Sequence, residues 1–373
     1  YMNRIIDVGK NDAVVEPGAY YRDFEKATLA KSGKLLPSYP ASRDIAALGG
    51  IISNNSGGEL THRFGKTDRY VRELDVVLAD GSRATLHPLS SQELAKKETQ
   101  ENLEGKIYRE VRALIEKNAE EIEKARPTVS KNSSGYALWN VWDKPRATFD
   151  RTKLITGSQG TLALVTRAKI GLEKQEPHRS MLVVFLSDFE ILPEIVRRIE
   201  SFKPESFESY DDKTFKLATR FAGEFLRHMG FLDAVRLGFS FLPELWMTLT
   251  GGVPKLVLLA EFAETSDEEA QKKANGARDA LRGLPIRTRF APASGMMDDK
   301  YWKIRRESFA LLRKHVHGLR ASPFIDDIVV HPEDYPRFLP ELNALLSQYN
   351  IVYTIAGHIG DGNFHIIPLV DLK

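Results

Sequence analysis

The sequence predicts an α+β protein of two domains, and three observations predict it. Its 373 residues exceed what one hydrophobic core ordinarily fills, so two cores are expected. The first half alternates short β-type runs with glycine-rich turns, whereas the second half carries longer apolar strands separated by amphipathic helices. That change of character falls at Gln175-Glu176-Pro177, which sets a domain at 1–176 and a second at 177–373.

In the first domain, strands are expected at 13–15, at 76–79 before the Asp80-Gly81 turn, and at 162–170. Glycine clusters at 49–50 and 57–58 mark tight turns or close backbone approach. From 92 to 125, Ile107, Val111, Leu114 and Ile115 recur at helical spacing among charges. In the second domain, the continuous apolar run 181–186 reads as a strand and 192–202 as a helix; 256–262 and 267–282 repeat that pair. Strands at 287–291, 324–330, 351–356 and 364–370, with helices at 299–315 and 332–349, complete a domain with an antiparallel sheet.

Composition narrows the function classes. A hydrophobic content of 42% with 28% charged residues is that of a soluble globular protein. Lys and Arg (53) nearly balance Asp and Glu (51), leaving +2, so no nucleic acid partner is expected. The absence of cysteine excludes disulfides, thiolate ligands and iron–sulfur clusters within these residues and fits a cytoplasmic location. Residues 1–10 are polar and carry no secretory signal. The most apolar stretch, 231–262, is broken by Asp233, Arg236, Pro243, Gly251, Pro254 and Lys255 and cannot cross a bilayer as one helix. It reads as a buried helical insertion, as a peripheral seat on the inner membrane face, or as a cover over an active site.

The most informative motif is GHIGDGNFH, which holds His358 and His365. A hairpin with Asp361-Gly362 as a two-residue turn pairs 360 with 363, 359 with 364 and 358 with 365, so the two imidazoles oppose each other. Spacing alone leaves two readings open: half of a metal site, or a surface hairpin carrying two unrelated histidines. Asp326 and Asp327 are candidates for a metal carboxylate, against an ordinary solvated or capping role. The run 37–58, rich in Gly, Ser and Asn, and the second segment 155–172 expose backbone against which a flat heterocycle or phosphate would lie.

LGGIISNNSGG, RFG, ELDVVLADG, GYAL and GSQGTL together resemble the vanillyl-alcohol oxidase (PCMH)-type FAD-binding domain, and GHIGDGNFH resembles the signature of the FAD-linked oxidase C-terminal domain. The resemblance covers nearly the whole chain and is to the flavin-dependent D-2-hydroxy acid dehydrogenases, D-lactate dehydrogenase and the glycolate oxidase catalytic subunit among them. It implies a PCMH-type domain followed by a ferredoxin-like substrate and cap domain. It implies FAD along Pro40, Ser42, Ala47, Gly49, Gly50, Asn54, Asn55 and Gly57, closed from the other side by Gly157, Gln159, Gly160, Thr161 and Val165. Gln159 departs from the family's usual Glu. Tyr301 to Glu307 resembles the helix whose Arg binds the substrate carboxylate, which selects Arg305; a neighbouring position that is basic in some relatives is Ile325 here.

The reaction implied is oxidation of a small D-2-hydroxy acid to the 2-oxo acid, with a zinc or manganese ion on His358 and His365. The implied partners are that substrate, an electron acceptor of quinone, cytochrome or electron-transfer flavoprotein type, and a second copy in a homodimer. Alternatives are a non-redox or aromatic-alcohol flavoenzyme of the same fold and a catalytically inert subunit. The family's pyrophosphate loop and a downstream carboxylate–His motif are absent from these residues, so truncation at both ends is expected.

Overall fold

Two units, Tyr1–Gln175 and Glu176–Lys373, divide the chain in the computed structural model. It describes residues 2–214, 252–292, 301–302, 304–305, 320–321, 324–325, 327–349 and 351–370.

Unit 1 is built on an antiparallel sheet of β1 (Ile5–Val8), β2 (Asp12–Val15), β3 (Val71–Val77), β4 (Arg83–Leu86) and β5 (Leu164–Gly171), in the order β1-β2-β5-β3-β4. Alternation aims Leu74 and Val76 of β3 and Ala168 and Ile170 of β5 into one core. β3 begins earlier than its apolar run suggests because Val71 pairs with Ile170 and extends the ladder. Two helices, α1 (Tyr21–Ser32) and α2 (Leu48–Ser53), add Phe24, Ile51 and Ile52 to that core. The glycine pair at 49–50 therefore lies inside a helix, not in a turn. Gly49 is needed there because a Cβ would meet the Pro17 side chain at 2.8 Å.

The expected helical stretch 92–125 is three helices: α3 (Ser91–Glu98), α4 (Leu103–Lys117) and α5 (Ala119–Lys124). Asn102 divides the first two, its side chain accepting the Gly105 N–H at 2.9 Å as an N-cap. Tyr108 and Ile115 of α4 bury with Leu94 and Phe149 in a small separate cluster.

Among the described residues, unit 2 carries eight strands: β6 (His178–Leu186), β7 (Ser206–Asp211), β8 (Leu256–Glu264), β9 (Arg287–Pro292), β10 (Arg320–Ala321), β11 (Asp327–Val329), β12 (Val352–His358) and β13 (Asn363–Val370). Their order is β9-β6-β8-β7-β12-β13-β10, with β11 also pairing β13, and every pair is antiparallel. β6, α6 (Leu192–Glu200), β7, β8, α7 (Asp267–Ala280) and β9 form a βαββαβ arrangement with the ferredoxin-like strand order β9-β6-β8-β7.

β6 and β8 are unbroken apolar runs because both faces of the sheet are covered. On one face Leu182, Val184, Leu258 and Ala260 pack with Ile195 and Val196 of α6, Ala274 of α7 and Leu339 of α8 (Tyr335–Leu346). On the other, Met181, Val183, Val257, Leu259 and Tyr210 pack with Tyr301, Trp302 and Ile304. Each such full burial of a Leu, Val or Ile side chain contributes roughly 1.5–3 kcal/mol. The expected helix at 299–315 is described at 301, 302, 304 and 305, all helical, and the rest of it lies outside the described residues. Most of 231–262 and Asp326 lie outside them too.

Candidate active site

In unit 2 the face bearing Tyr301 and Trp302 also carries the chemistry. Register explains how. Ser209 pairs with Gly357 and Tyr210 with Ala356 across β7 and β12, so the next residues outward, Glu208 and His358, stand opposite each other. Ala356 in turn pairs with His365 of β13, and His365 with Asp327 of β11; His358 pairs with Asn363. Side chains two apart along a strand share a face, so Glu208, His358, His365, Asp327 and Asn363 all project from this one face.

The predicted register of the histidine hairpin is therefore corrected. His358 opposes Asn363, not His365. The loop is longer than two residues, a 3-10 turn over Ile359–Asp361 followed by Gly362 with φ 71°. Contacts outside the hairpin select it: the Tyr335 hydroxyl donates to Ile359 O at 2.7 Å and Val330 N donates to Gly362 O at 2.9 Å. The slip is an even number of residues, so both imidazoles keep their face. They meet diagonally, with ring centroids 5.2 Å apart and planes at 89°.

Glu208 sits at the centre and is 1% exposed. Its Oε1 accepts from His358 Nδ1 at 2.5 Å and its Oε2 from Arg305 Nε at 3.1 Å. A carboxylate only accepts, so the proton is on Nδ1 and the Nε2 lone pair of His358 is directed away from Glu208. Arg305 reaches this point because its helical segment is pinned one turn earlier, where Trp302 Nε1 donates to Glu261 Oε1 at 3.2 Å. Glu261 is held in turn by Arg179, which also pairs with Glu205 at 2.6 Å. Beyond the histidines, Asp327 Oδ1 lies 3.8 Å from His365 Nδ1 and accepts from Asn363 Nδ2. Ile325, by contrast, packs against the helical-face core.

Sequence reasoning named His358, His365 and Arg305 and missed Glu208. The available signal was a pair of carboxylates, Glu208 and Asp211, inside SFESYD, a β run that is buried throughout. Among the described residues no group of three or more His, Asp or Glu side chains is gathered closely enough to hold a metal ion. The chemistry present is nonetheless that of a ligand pair: two imidazoles in contact, one of them with a carboxylate on the nitrogen opposite the lone pair.

In unit 1 the two glycine-rich segments, far apart in sequence, are joined by hydrogen bonds. Gly157 N donates to Ile52 O at 3.0 Å, Gln159 N to Ser53 O at 2.9 Å, and the Gln159 amide to Asn54 Oδ1 at 3.0 Å. Asn55 accepts from Asp68 N at 2.9 Å, and Thr161 meets the Tyr136 hydroxyl at 2.8 Å. Ala47 is the residue before α2, Gly57 packs against Thr61, Val165 pairs with Val76, and Pro40 and Ser42 accept backbone hydrogen bonds from the turn at 43–46.

This surface fits a flat, polar-edged group such as a flavin on two counts. A Cβ at Gly50 or Gly160 would meet nothing within 4 Å, so bare backbone is presented there. In the same segment as Gly160, Thr156 Oγ1 and Ser158 Oγ are buried with no hydrogen-bond partner among the described residues, and buried hydroxyls ordinarily have one.

Comparison with known proteins gives a family match in each unit. The family described as FAD linked oxidases, C-terminal domain, matches residues 175–373, and an FAD binding domain family matches residues 1–87. The chain belongs to the FAD-linked oxidases. It is 25% identical over 378 residues to the D-2-hydroxyglutarate dehydrogenase of Pseudomonas putida, covering 100% of this chain and 36% of that protein. It is 24% identical over 366 residues to the D-lactate dehydrogenase of Archaeoglobus fulgidus, covering 98% and 62%. The chain thus spans about a third of the first of these and less than two thirds of the second. Among solved structures, an alkyldihydroxyacetonephosphate synthase superposes with a TM-score of 0.61 at 14% identity, covering 100% of this chain and 61% of that one. A p-cresol methylhydroxylase with substrate bound gives 0.57 at 14%, covering 99% and 64%. These likenesses establish the PCMH-type fold. No helix among the described residues is long and apolar enough to cross a membrane.

Proposed function

We propose that the protein of which this chain is part oxidises a small D-2-hydroxy acid to the 2-oxo acid, passing a hydride to FAD. The observation that carries this reading is the buried carboxylate of Glu208 shared between His358 and Arg305. It sets a guanidinium suited to a carboxylate beside an imidazole pair suited to a hydroxyl. FAD bound along 40–57 and 157–165 supplies the two-electron acceptor. A zinc or manganese ion on His358 and His365, completed by ligands other than these two, supplies Lewis acidity toward the substrate hydroxyl.

The chain's own residues bind and orient. Arg305 pairs with the substrate carboxylate in the planar geometry only a guanidinium offers. Glu208 on Nδ1 leaves Nε2 as the His358 nitrogen that faces away from the carboxylate and can offer a lone pair. Fixing the carboxylate at one end aligns the carbon-bound hydrogen at the other. The Asn54–Gln159 contact and the open backbone at Gly50 and Gly160 form the floor for the cofactor.

Support also comes from the names of the relatives, dehydrogenases of D-2-hydroxyglutarate and D-lactate. The test is anaerobic stopped-flow reduction of the flavin in the full-length protein by D-2-hydroxyglutarate and by D-lactate. Bleaching of the flavin absorbance by either supports the reading, and a flavin that neither reduces removes it.

A further inference from the structure

We infer that Glu208 is a positioning residue that couples the metal-type imidazole to the carboxylate anchor, so that the two halves of substrate recognition are set by one side chain. The inference rests on the function proposed above and deepens it. Each oxygen of Glu208 has its own partner, His358 Nδ1 at 2.5 Å and Arg305 Nε at 3.1 Å. The three side chains come from β7, β12 and a helical segment, so no local sequence constraint holds them together.

A purely structural salt bridge needs only one of these contacts. Two distinct geometric demands are met instead. The His358 contact fixes the tautomer, because with Nδ1 protonated only Nε2 has a lone pair to offer. The Arg305 contact uses Nε and so fixes the plane of the guanidinium about its last rotatable bonds. Glu208 is buried beneath both, at the sheet floor, and is opposed across the ladder by His358 on one side and Leu259 on the other. Its carboxylate acts through His358 and Arg305 and is not itself placed against substrate.

Full-length protein stripped of metal is titrated with Zn²⁺ against a competing chromophoric chelator. Wild type is compared with Glu208→Gln, Glu208→Asp and His358→Ala, with flavin per chain recorded as a measure of folding. Glu208→Gln keeps the volume but presents an amide that His358 meets in either tautomer. Zinc affinity is expected to fall 10- to 100-fold, and KM for D-2-hydroxyglutarate to rise tenfold or more as the Arg305 plane is released. Wild-type zinc affinity and KM in Glu208→Gln, where His358→Ala has lost zinc, overturn the inference and leave the proposed function standing. Wild-type zinc affinity in His358→Ala itself removes the metal-assisted reading, whatever Glu208 does. Where Glu208→Gln yields no folded protein, Glu208→Asp decides: one methylene short, it reaches one partner at most, and wild-type values for both quantities sink the inference.

Discussion

At Arg305 the side-chain chemistry makes a prediction that charge alone does not. The Arg305 side chain is 16% exposed and its guanidinium is oriented through Nε, a geometry that an ammonium cannot reproduce. Arg305→Lys is expected to raise KM for the 2-hydroxy acid about 10- to 100-fold, the loss of one charge-assisted hydrogen bond of roughly 1.5–3 kcal/mol. Steady-state kinetics at saturating acceptor checks it, and an unchanged KM would place the carboxylate elsewhere. Asp211, three residues on from Glu208, gives a second prediction. It is buried, with its oxygens accepting Thr214 N–H at 2.8 Å and Ile355 N–H at 2.9 Å, and burial pushes its carboxyl up from 3.8 to about 6. The folded value lies above the unfolded one, so its contribution is fully present below pH 3.8 and is lost as pH rises through about 6. The stability of wild type relative to Asp211→Asn should therefore fall by roughly 1–3 kcal/mol between pH 4 and pH 7. Urea midpoints at the two pH values measure it; a difference independent of pH refutes the assignment.

The histidine hairpin is the element on which the site turns. The β-type runs at 351–356 and 364–370 and the turn residues between them were legible, because apolar alternation and Asp-Gly are local properties. The register was not, because the Tyr335 hydroxyl and the Val330 amide choose the loop from outside the hairpin. Two glycines record how closely it is packed. A Cβ at Gly357 would lie 2.1 Å from Asn363 O, and one at Gly362, already at positive φ, 2.0 Å from Val330 O. Gly357→Ala is expected to cost about 2–4 kcal/mol of stability and to weaken the proposed zinc binding by separating β12 from β13. Thermal denaturation and the zinc titration together check this, and an alanine variant with wild-type values in both would show that the ladder yields. In the same way, the helices at 92–125 were visible as apolar spacing, while the break at Asn102 rests on a capping bond of a residue that is equally at home in a loop.

For the molecule as a whole, separate cores in Tyr1–Gln175 and Glu176–Lys373 make ligand effects separable. FAD at a hundred times its Kd should stabilise the transition of the first unit by about 2.7 kcal/mol, and on the proposed function chelation of the metal should lower that of the second. Scanning calorimetry of the full-length protein resolves this. A single transition moved equally by both ligands would mean that the two units unfold as one.

Much of this protein was determined by its sequence alone: an α+β chain in two parts, most of its strands and helices, and the segments that mark it as an FAD-linked oxidase. These are readings of periodicity, turn chemistry and motif, each contained within a few neighbouring residues. Tertiary structure alone decided the rest: that 49–58 and 155–161 are joined into one surface, that His358 and His365 meet on a diagonal, and that Glu208 lies between His358 and Arg305. The physical reason is strand pairing. Glu208 and His358 are 150 residues apart in the chain, and no local pattern encodes which strand will pair with which, or in what register. Long-range burial of β7 between β8 and β12 sets both, and with them the site.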